Sequence, residues 1–217
     1  MDPNASRLFP TDAFKRQDET PDAEFYYHPR LVTHIDAPAI AAVTQLYREY
    51  FRLDAELLDL MSSWVSHLPP EVAYRRVVGL GMNTVELQAN PRLDSFVIQN
   101  LNQQPTLLFP DHEFDGAAIC VSIDYLTQPV AVLRELHRVL RPNSPLVITF
   151  SNRCFPSKAI AAWHALDDYG HLALVQRFLQ AAGGWHGITL LDRSPAPVRS
   201  DPLFAVVAHT ATDPLLL

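Results

Sequence analysis

Glycine is scarce in this chain, with seven in 217 residues. Loops that cradle phosphate need several, because only glycine lets the backbone approach a ligand freely at positive φ. No P-loop is present, and VVGLGMNT over residues 77–84 only half-matches the dinucleotide fingerprint G-x-G-x-x-G. Thr84 stands for its third glycine, and no acid follows about 20 residues on. Cysteine is scarcer still. Cys120 and Cys154 show no CxxC and no zinc-ligand spacing, so they read as buried reduced thiols. Basic residues form no stripe, and the net charge of −7 with a pI near 5.6 argues against binding a phosphate backbone. No apolar run reaches the length of a signal peptide core or a membrane span. HExxH and G-x-S-x-G are absent, so zinc-protease and hydrolase chemistry have no support. A soluble, cytoplasmic protein is expected, with no nucleic acid, membrane or metal partner.

The length and the 48% hydrophobic content suit one globular domain. Residues 1–23 are polar, proline-bearing and aperiodic and read as a flexible arm, leaving 24–217 as a single domain. Asp36 is a helix cap, Pro38 fits a first turn, and Ile40, Val43, Tyr47 and Phe51 trace an apolar stripe. Short apolar runs predict strands over 57–61, 77–80, 96–99, 117–121, 146–150, 188–191 and 204–208. Between them, Asn83 caps a helix over 84–89, Pro129 opens another, and 158–163 and 172–182 are helical. Gly183-Gly184 stops the last. SSWVSHLPPE after the first strand reads as a turn and a short helix, and the tail ATDPLLL as frayed. Strands alternating with helices define an α/β, doubly wound parallel sheet. Ligands bind such sheets beyond the carboxyl ends of the strands.

Residues 114–152 carry the most specific wording: FD, a strand, YLTQP, then L-x-E-x-x-R-V-L-R-P and an apolar strand. This resembles the second half of a class I S-adenosylmethionine-dependent methyltransferase. DLMSSWVSH, GLGMN and TFSNR resemble a divergent methyltransferase-like group that lacks the usual glycine-rich loop. The resemblance implies a Rossmann-like, seven-stranded, mostly parallel sheet in the order 3-2-1-4-5-7-6, flanked by helices, with the last strand antiparallel. It implies S-adenosylmethionine as cofactor, a small-molecule acceptor, a monomer or homodimer, and a lid helix ahead of the first strand.

Under that resemblance the cofactor contacts fall on particular residues. The first strand and its turn stand in the place of the family's acidic, glycine-rich loop; Asp59 matches its acid, and Ser62, Ser63 and Trp64 stand where glycines usually admit the methionine portion. Trp64 is equally well a core residue. Gly81 occupies the place of the ribose-binding acid, which leaves Met82 and Asn83 for that contact. Asn100, beside Leu101, replaces the acid that often meets the adenine amine; Val121 and Ser122 end the fourth strand, and Tyr27 and Arg30 come from the lid. Asn143-Ser144 replaces a glycine pair. Three altered contacts at about 1 kcal/mol each amount to about a hundredfold in affinity. For the acceptor, His34 is the candidate base because its ordinary pKa suits neutral pH, with Tyr26 and Asp124 as catalytic companions and Tyr125, Asn152 and Arg153 nearby. The acidic balance and aromatic lid point to a neutral or cationic acceptor. The alternative is a non-catalytic methyltransferase-like binding module that has lost productive cofactor binding.

Overall fold

The computed structural model describes residues 8–196 and 199–211. Its seven strands form one sheet in the order β3-β2-β1-β4-β5-β7-β6. They are β1 (Glu56–Leu60), β2 (Arg76–Gly81), β3 (Ser95–Ile98), β4 (Gly116–Cys120), β5 (Pro145–Phe150), β6 (Trp185–Asp192) and β7 (Phe204–Thr210). The first five run parallel, while β7 pairs antiparallel with β5 and with β6. This is the doubly wound architecture expected, and β1 lies at its centre, paired on both sides.

Period-two burial assigns each face of the sheet. Leu58, Leu60, Val78, Leu80, Ala117, Ile119, Leu146 and Ile148 face one core layer, against α4 (Pro129–Val139) and α6 (Asp168–Ala182). Leu57, Val77, Ala118, Val147, Ala205 and Val207 face the other. Here α2 (Ala37–Tyr50) lies flat, presenting Ala39, Val43, Leu46 and Tyr47. Asp36 caps it by accepting from the Ala39 N–H at 3.0 Å. The expectation of a lid helix is therefore corrected: α2 is a core layer, and the cleft is covered by the residues before it. The short helix α3 (Thr84–Ala89) is capped by Asn83, whose side chain accepts from the N–H groups of Val85 and Glu86.

Three other expectations change. No helix follows β1. Residues 61–75 are irregular, because serine side chains bond locally, His67 has φ +54° and Pro69-Pro70 cannot continue a helix. The helix expected over 158–163 is displaced to α5 (Ala161–His164), since the Lys158 and Ala159 N–H groups close a turn on the Phe155 carbonyl. The arm is not loose from residue 8 onward. Phe9 and Ala13 are buried in the core, Arg16 bridges to Ile160, and α1 (Asp22–Phe25) follows. Residues 1–7 and the tail from 212 lie outside the described residues.

Lys158 fixes this arm. It is completely buried, and its Nζ donates to the carbonyls of Asp18 at 3.2 Å and Thr20 at 2.7 Å and to Thr20 Oγ1 at 3.2 Å. The Asp18 and Asp22 carboxylates lie 3.3 and 3.8 Å away. Removing one partner of such a group leaves buried charge unpaired. Lys158→Met is expected to lower the unfolding free energy by about 3 kcal/mol. Urea titration followed by circular dichroism reads this directly, and an unchanged midpoint would show that the arm docks without the lysine.

Candidate active site

The principal cavity opens where theory places it, beyond the carboxyl ends of β1, β2, β3 and β4. Its floor is Met61, Ser62 and Ser63 after β1, Gly81 to Asn83 after β2, residues 99–102 after β3, and Cys120 to Ser122 after β4. Its roof is Arg16, Asp22, Tyr26, Arg30 and His34, with Tyr125 and Phe155 at the side. The enclosed volume is about 130 Å³, below the roughly 300 Å³ at the small end of ligand pockets. The cavity is partly open, so a nucleoside-sized ligand fits by projecting from its mouth or by displacing the roof.

The turn after β1 is built without glycine. Met61 takes φ +56°, and Val121, after β4, takes +43°. Both are in the left-handed region that a β-branched residue strongly resists. Hydrogen bonds hold the turn in this shape. Asp59, buried beneath it, accepts from Ser62 Oγ and Ser66 Oγ, each at 2.6 Å. Asn90 Nδ2 donates to Ser66 Oγ at 2.9 Å and to the Ser63 carbonyl at 2.8 Å. Ser63 Oγ donates to Glu86 at 2.9 Å, and the other Glu86 oxygen accepts the Arg30 N–H at 2.7 Å. The Ser62 N–H goes to the Leu80 carbonyl at 2.8 Å. That approach explains Gly81, since a Cβ there would sit 2.4 Å from the Ser62 carbonyl oxygen.

The roof is tied down from the same side. Asn83 Nδ2 donates to the carbonyls of Tyr26 at 2.9 Å and Tyr27 at 3.1 Å. Trp64 Nε1 donates to the Val32 carbonyl at 2.9 Å. Four polar atoms on cavity-lining residues remain buried without a hydrogen-bond partner: Arg30 Nη1, Gln99 Oε1, Asn100 Nδ2 and Ser122 Oγ. Arg16 Nε is a fifth, with only Glu19 at 3.6 Å. Buried polar groups normally find partners, and these five belong to residues that line one cavity.

Most of the anticipated residues meet there. Tyr26, Arg30, His34, Ser62, Ser63, Gly81, Met82, Asn83, Asn100, Leu101, Val121 and Ser122 line the cavity. Four do not. Asp59 lies under the turn, as its buttress. Trp64 pins the roof from outside. Tyr27 is 74% exposed and borders a shallower groove with Val85 and Ile98. Asp124 is 3% exposed and does not line the cavity. Asn152 is exposed, and Arg153 pairs with Asp201 at 2.7 Å. Sequence reading passed over Arg16, Asp22, Glu86, Gln99 and Phe155. Glu86 alone had a visible signal, the N-x-x-E spacing of a helix start from Asn83.

The titrating groups divide by environment. Burial lowers the His34 pKa, with Glu86 opposing and Arg30 adding to the effect, so the imidazole is neutral at pH 7. Burial, with Asp22 and Asp124 nearby, pushes the Tyr26 phenol far above its ordinary value. Burial also raises Asp59 to about 6, against the two serine hydroxyls, and Asp124 to about 8. Among the described residues no cluster of three or more metal-ligating side chains occurs, and no helix is long and apolar enough to cross a membrane.

This fold and a cleft at this end of the sheet define the class I methyltransferase architecture. Residues 63–148 match the family described as Methyltransferase domain. Among solved structures, an S-adenosylmethionine-dependent methyltransferase from Aquifex aeolicus is 14% identical, covering 88% of this chain and 97% of that one at a TM-score of 0.56. A second, from Mesorhizobium loti, is 15% identical over 77% and 97% at 0.54. The cyclase SpnF is 16% identical over 79% and 80% at 0.59. At these identities the likeness shows the fold. No curated protein matches the chain. Domain match and architecture together are consistent with a class I methyltransferase family member.

Asp124 gives this site a pH signature. Its folded pKa, near 8, lies above the ordinary 3.8, so the native state holds a proton that the unfolded chain releases. That stability is full below about pH 4 and is lost as pH rises toward 8. Asp124→Asn is expected to flatten the profile, making the variant more stable than wild type at pH 9 by about 2 kcal/mol or more. Thermal melts of both proteins from pH 5 to 9 check it, and parallel curves would refute it.

Proposed function

We propose that the protein is an S-adenosylmethionine-dependent methyltransferase acting on a small-molecule acceptor. One observation carries this reading: the partnerless polar atoms gathered around the cavity at the carboxyl end of the sheet. The donors and acceptors present suit a nucleoside joined to an amino acid. Met82, Asn100 and Leu101 would hold the nucleoside end, with Asn100 donating from Nδ2 because its Oδ1 already accepts the Asn102 N–H at 3.0 Å. Ser122 would face the middle of the ligand, and Arg30 its charged end. Gly81 leaves no side chain for the ribose, and Gln99 Oε1 is a partnerless acceptor for a hydroxyl among the lining residues.

S-adenosylmethionine supplies an activated methyl group when bound. What the chain must add is alignment of a nucleophile, exclusion of water and, where the acceptor carries a proton, a base. Tyr26, Tyr125 and Phe155 wall the side of the cavity against water. His34, neutral and 5.3 Å from the Phe155 ring in an edge-to-face contact, is placed to take a proton at an imidazole nitrogen. Tyr26 stays protonated and serves as a hydrogen-bond donor. Asp124, beneath the wall and neutral at pH 7, is not the base.

The fold does not decide the reaction, and SpnF, a cyclase, shares it. The binding-module alternative is favoured by one feature, the internal bonding of both serine hydroxyls in the β1 turn. Calorimetry with S-adenosylhomocysteine separates the two readings. Micromolar binding by wild type and a loss of about tenfold in Asn100→Leu are expected. Folded protein that gives no heat with millimolar ligand would refute the methyltransferase reading.

A further inference from the structure

At the far end of the sheet from the cavity, β6 and β7 bring two histidines together. His186 and His209 are direct partners in the antiparallel register, so their side chains leave the same face. That face is the one α2 covers. Ala205 and Val207 share it with His209 at period two, and Tyr50, the last residue of α2, lies 6.4 Å from the His209 ring. His209 also pairs with Pro145, the first residue of β5, which sets the two histidines at the amino ends of the parallel strands. The imidazoles are 6.0 Å apart, centre to centre, and tilted by 31°. No zinc-ligand spacing announces them in the sequence, because only the strand pairing makes them neighbours.

Both rings are in the form a metal ion takes. His186 Nε2 lies 2.7 Å from the Thr210 carbonyl oxygen, which can only accept, so Nε2 carries the proton and Nδ1 keeps its lone pair. Ligating histidines are ordinarily fixed this way, by donating from the other nitrogen to a carbonyl or carboxylate. His209 makes no hydrogen bond through its ring among the described residues. Burial, with His186 adding to it, lowers its pKa, so this imidazole is neutral at pH 7. A Cβ on Gly187 would stand 3.7 Å from His209 Nδ1, and glycine at that position keeps the approach to this nitrogen clear.

Distance decides whether one ion can reach both. With Zn–N bonds of about 2.0–2.1 Å, the centre of a ligating ring lies about 3.2 Å from the ion. Two such rings are about 5 Å apart on a tetrahedral ion and at most about 6.4 Å apart on any ion. The observed 6.0 Å is inside that limit, and His186 is exposed and free to close the remainder by a side-chain torsion. We propose that His186 and His209 form a two-imidazole site for a borderline divalent transition-metal ion such as Zn²⁺, with water in its other positions. Nitrogen ligands without a carboxylate favour Zn²⁺, Cu²⁺ and Ni²⁺ over Mg²⁺ and Ca²⁺. Two protein ligands hold an exchangeable ion, unlike the four of a structural site. The ion clips edge strand β6 to β7 beside the bond from the Ala211 N–H to the Gly184 carbonyl. The site stands apart from the cavity and does not rest on the methyltransferase reading.

Calorimetry of the untagged full chain with zinc chloride tests the pair in wild type, His186→Gln, His209→Gln and His112→Gln. Wild type is expected to bind one Zn²⁺. Losing even an outer partner of a ligand costs a metal site about tenfold or more, so each of the first two variants is expected to lose at least that much. His112→Gln, whose ring bonds the Leu140 carbonyl elsewhere, is expected to bind as wild type does. In wild type, Zn²⁺ is also expected to protect His186 and His209 from acylation by diethyl pyrocarbonate, read by peptide mass spectrometry. That measurement needs no variant and decides the matter if a substitution disturbs β6 or β7. No heat at millimolar Zn²⁺ overturns the proposal, and so does binding that survives both substitutions, since the ion then sits elsewhere. Loss in only one of the two variants overturns it as well, because a single surface histidine would then suffice. Equal weakening in His112→Gln, or protection confined to other histidines, does the same.

Discussion

The site depends on one buried carboxylate. Asp59, at the centre of the sheet, gathers Ser62 and Ser66, and through Ser66 and Asn90 the bonding runs to Ser63, Glu86 and the Arg30 backbone. Glycine would hold a tight turn here by conformational freedom. This chain holds it by side-chain hydrogen bonds, each of which offsets part of the strain at Met61. The substitution has two results. The turn is fixed from within, and its two serine hydroxyls and the Ser62 N–H are used inside the protein. The partnerless polar atoms of the cavity residues belong instead to Arg16, Arg30, Gln99, Asn100 and Ser122.

That division also explains how two acids of the same type come to differ. Asp59 has two hydroxyl donors, and burial raises it only to about 6. Asp124 has one oxygen with no partner, and burial carries it to about 8. At neutral pH the first is mostly a carboxylate that organises a turn. The second is mostly a neutral acid packed behind the tyrosines. Neither lines the cavity, whose ionisable lining comes instead from Arg16, Asp22, Arg30, His34 and Glu86.

The strands were legible in the sequence because each carries a short apolar run between turn residues, and burial on both faces demands such runs. Their order followed from the resemblance carried by residues 114–152, and it holds, including the antiparallel β7. The cavity floor was legible too, since strand ends are fixed once strands are placed. The roof was not. Phe9, Arg16 and Asp22 lie in a stretch with no periodicity, and what buries them is distant in sequence: Phe178 against Phe9, and Lys158 beside Asp22, which in turn pairs with Arg16. Trp64 and Asp59 were read as ligand contacts because position in a motif says nothing of which way a side chain points. Gly81 looked like a lost acid, whereas the Ser62 carbonyl requires it.

The closed roof has a consequence for rates. Residues 16–34 cover the cavity and are fastened by Asn83, Glu86, Trp64 and Lys158 at once. For a ligand larger than that space, the binding-competent state is one with those fastenings released, and apparent affinity is reduced by the fraction of molecules in it. Association then saturates at the opening rate as ligand concentration rises. The same fastenings, re-formed over a ligand, would slow its departure.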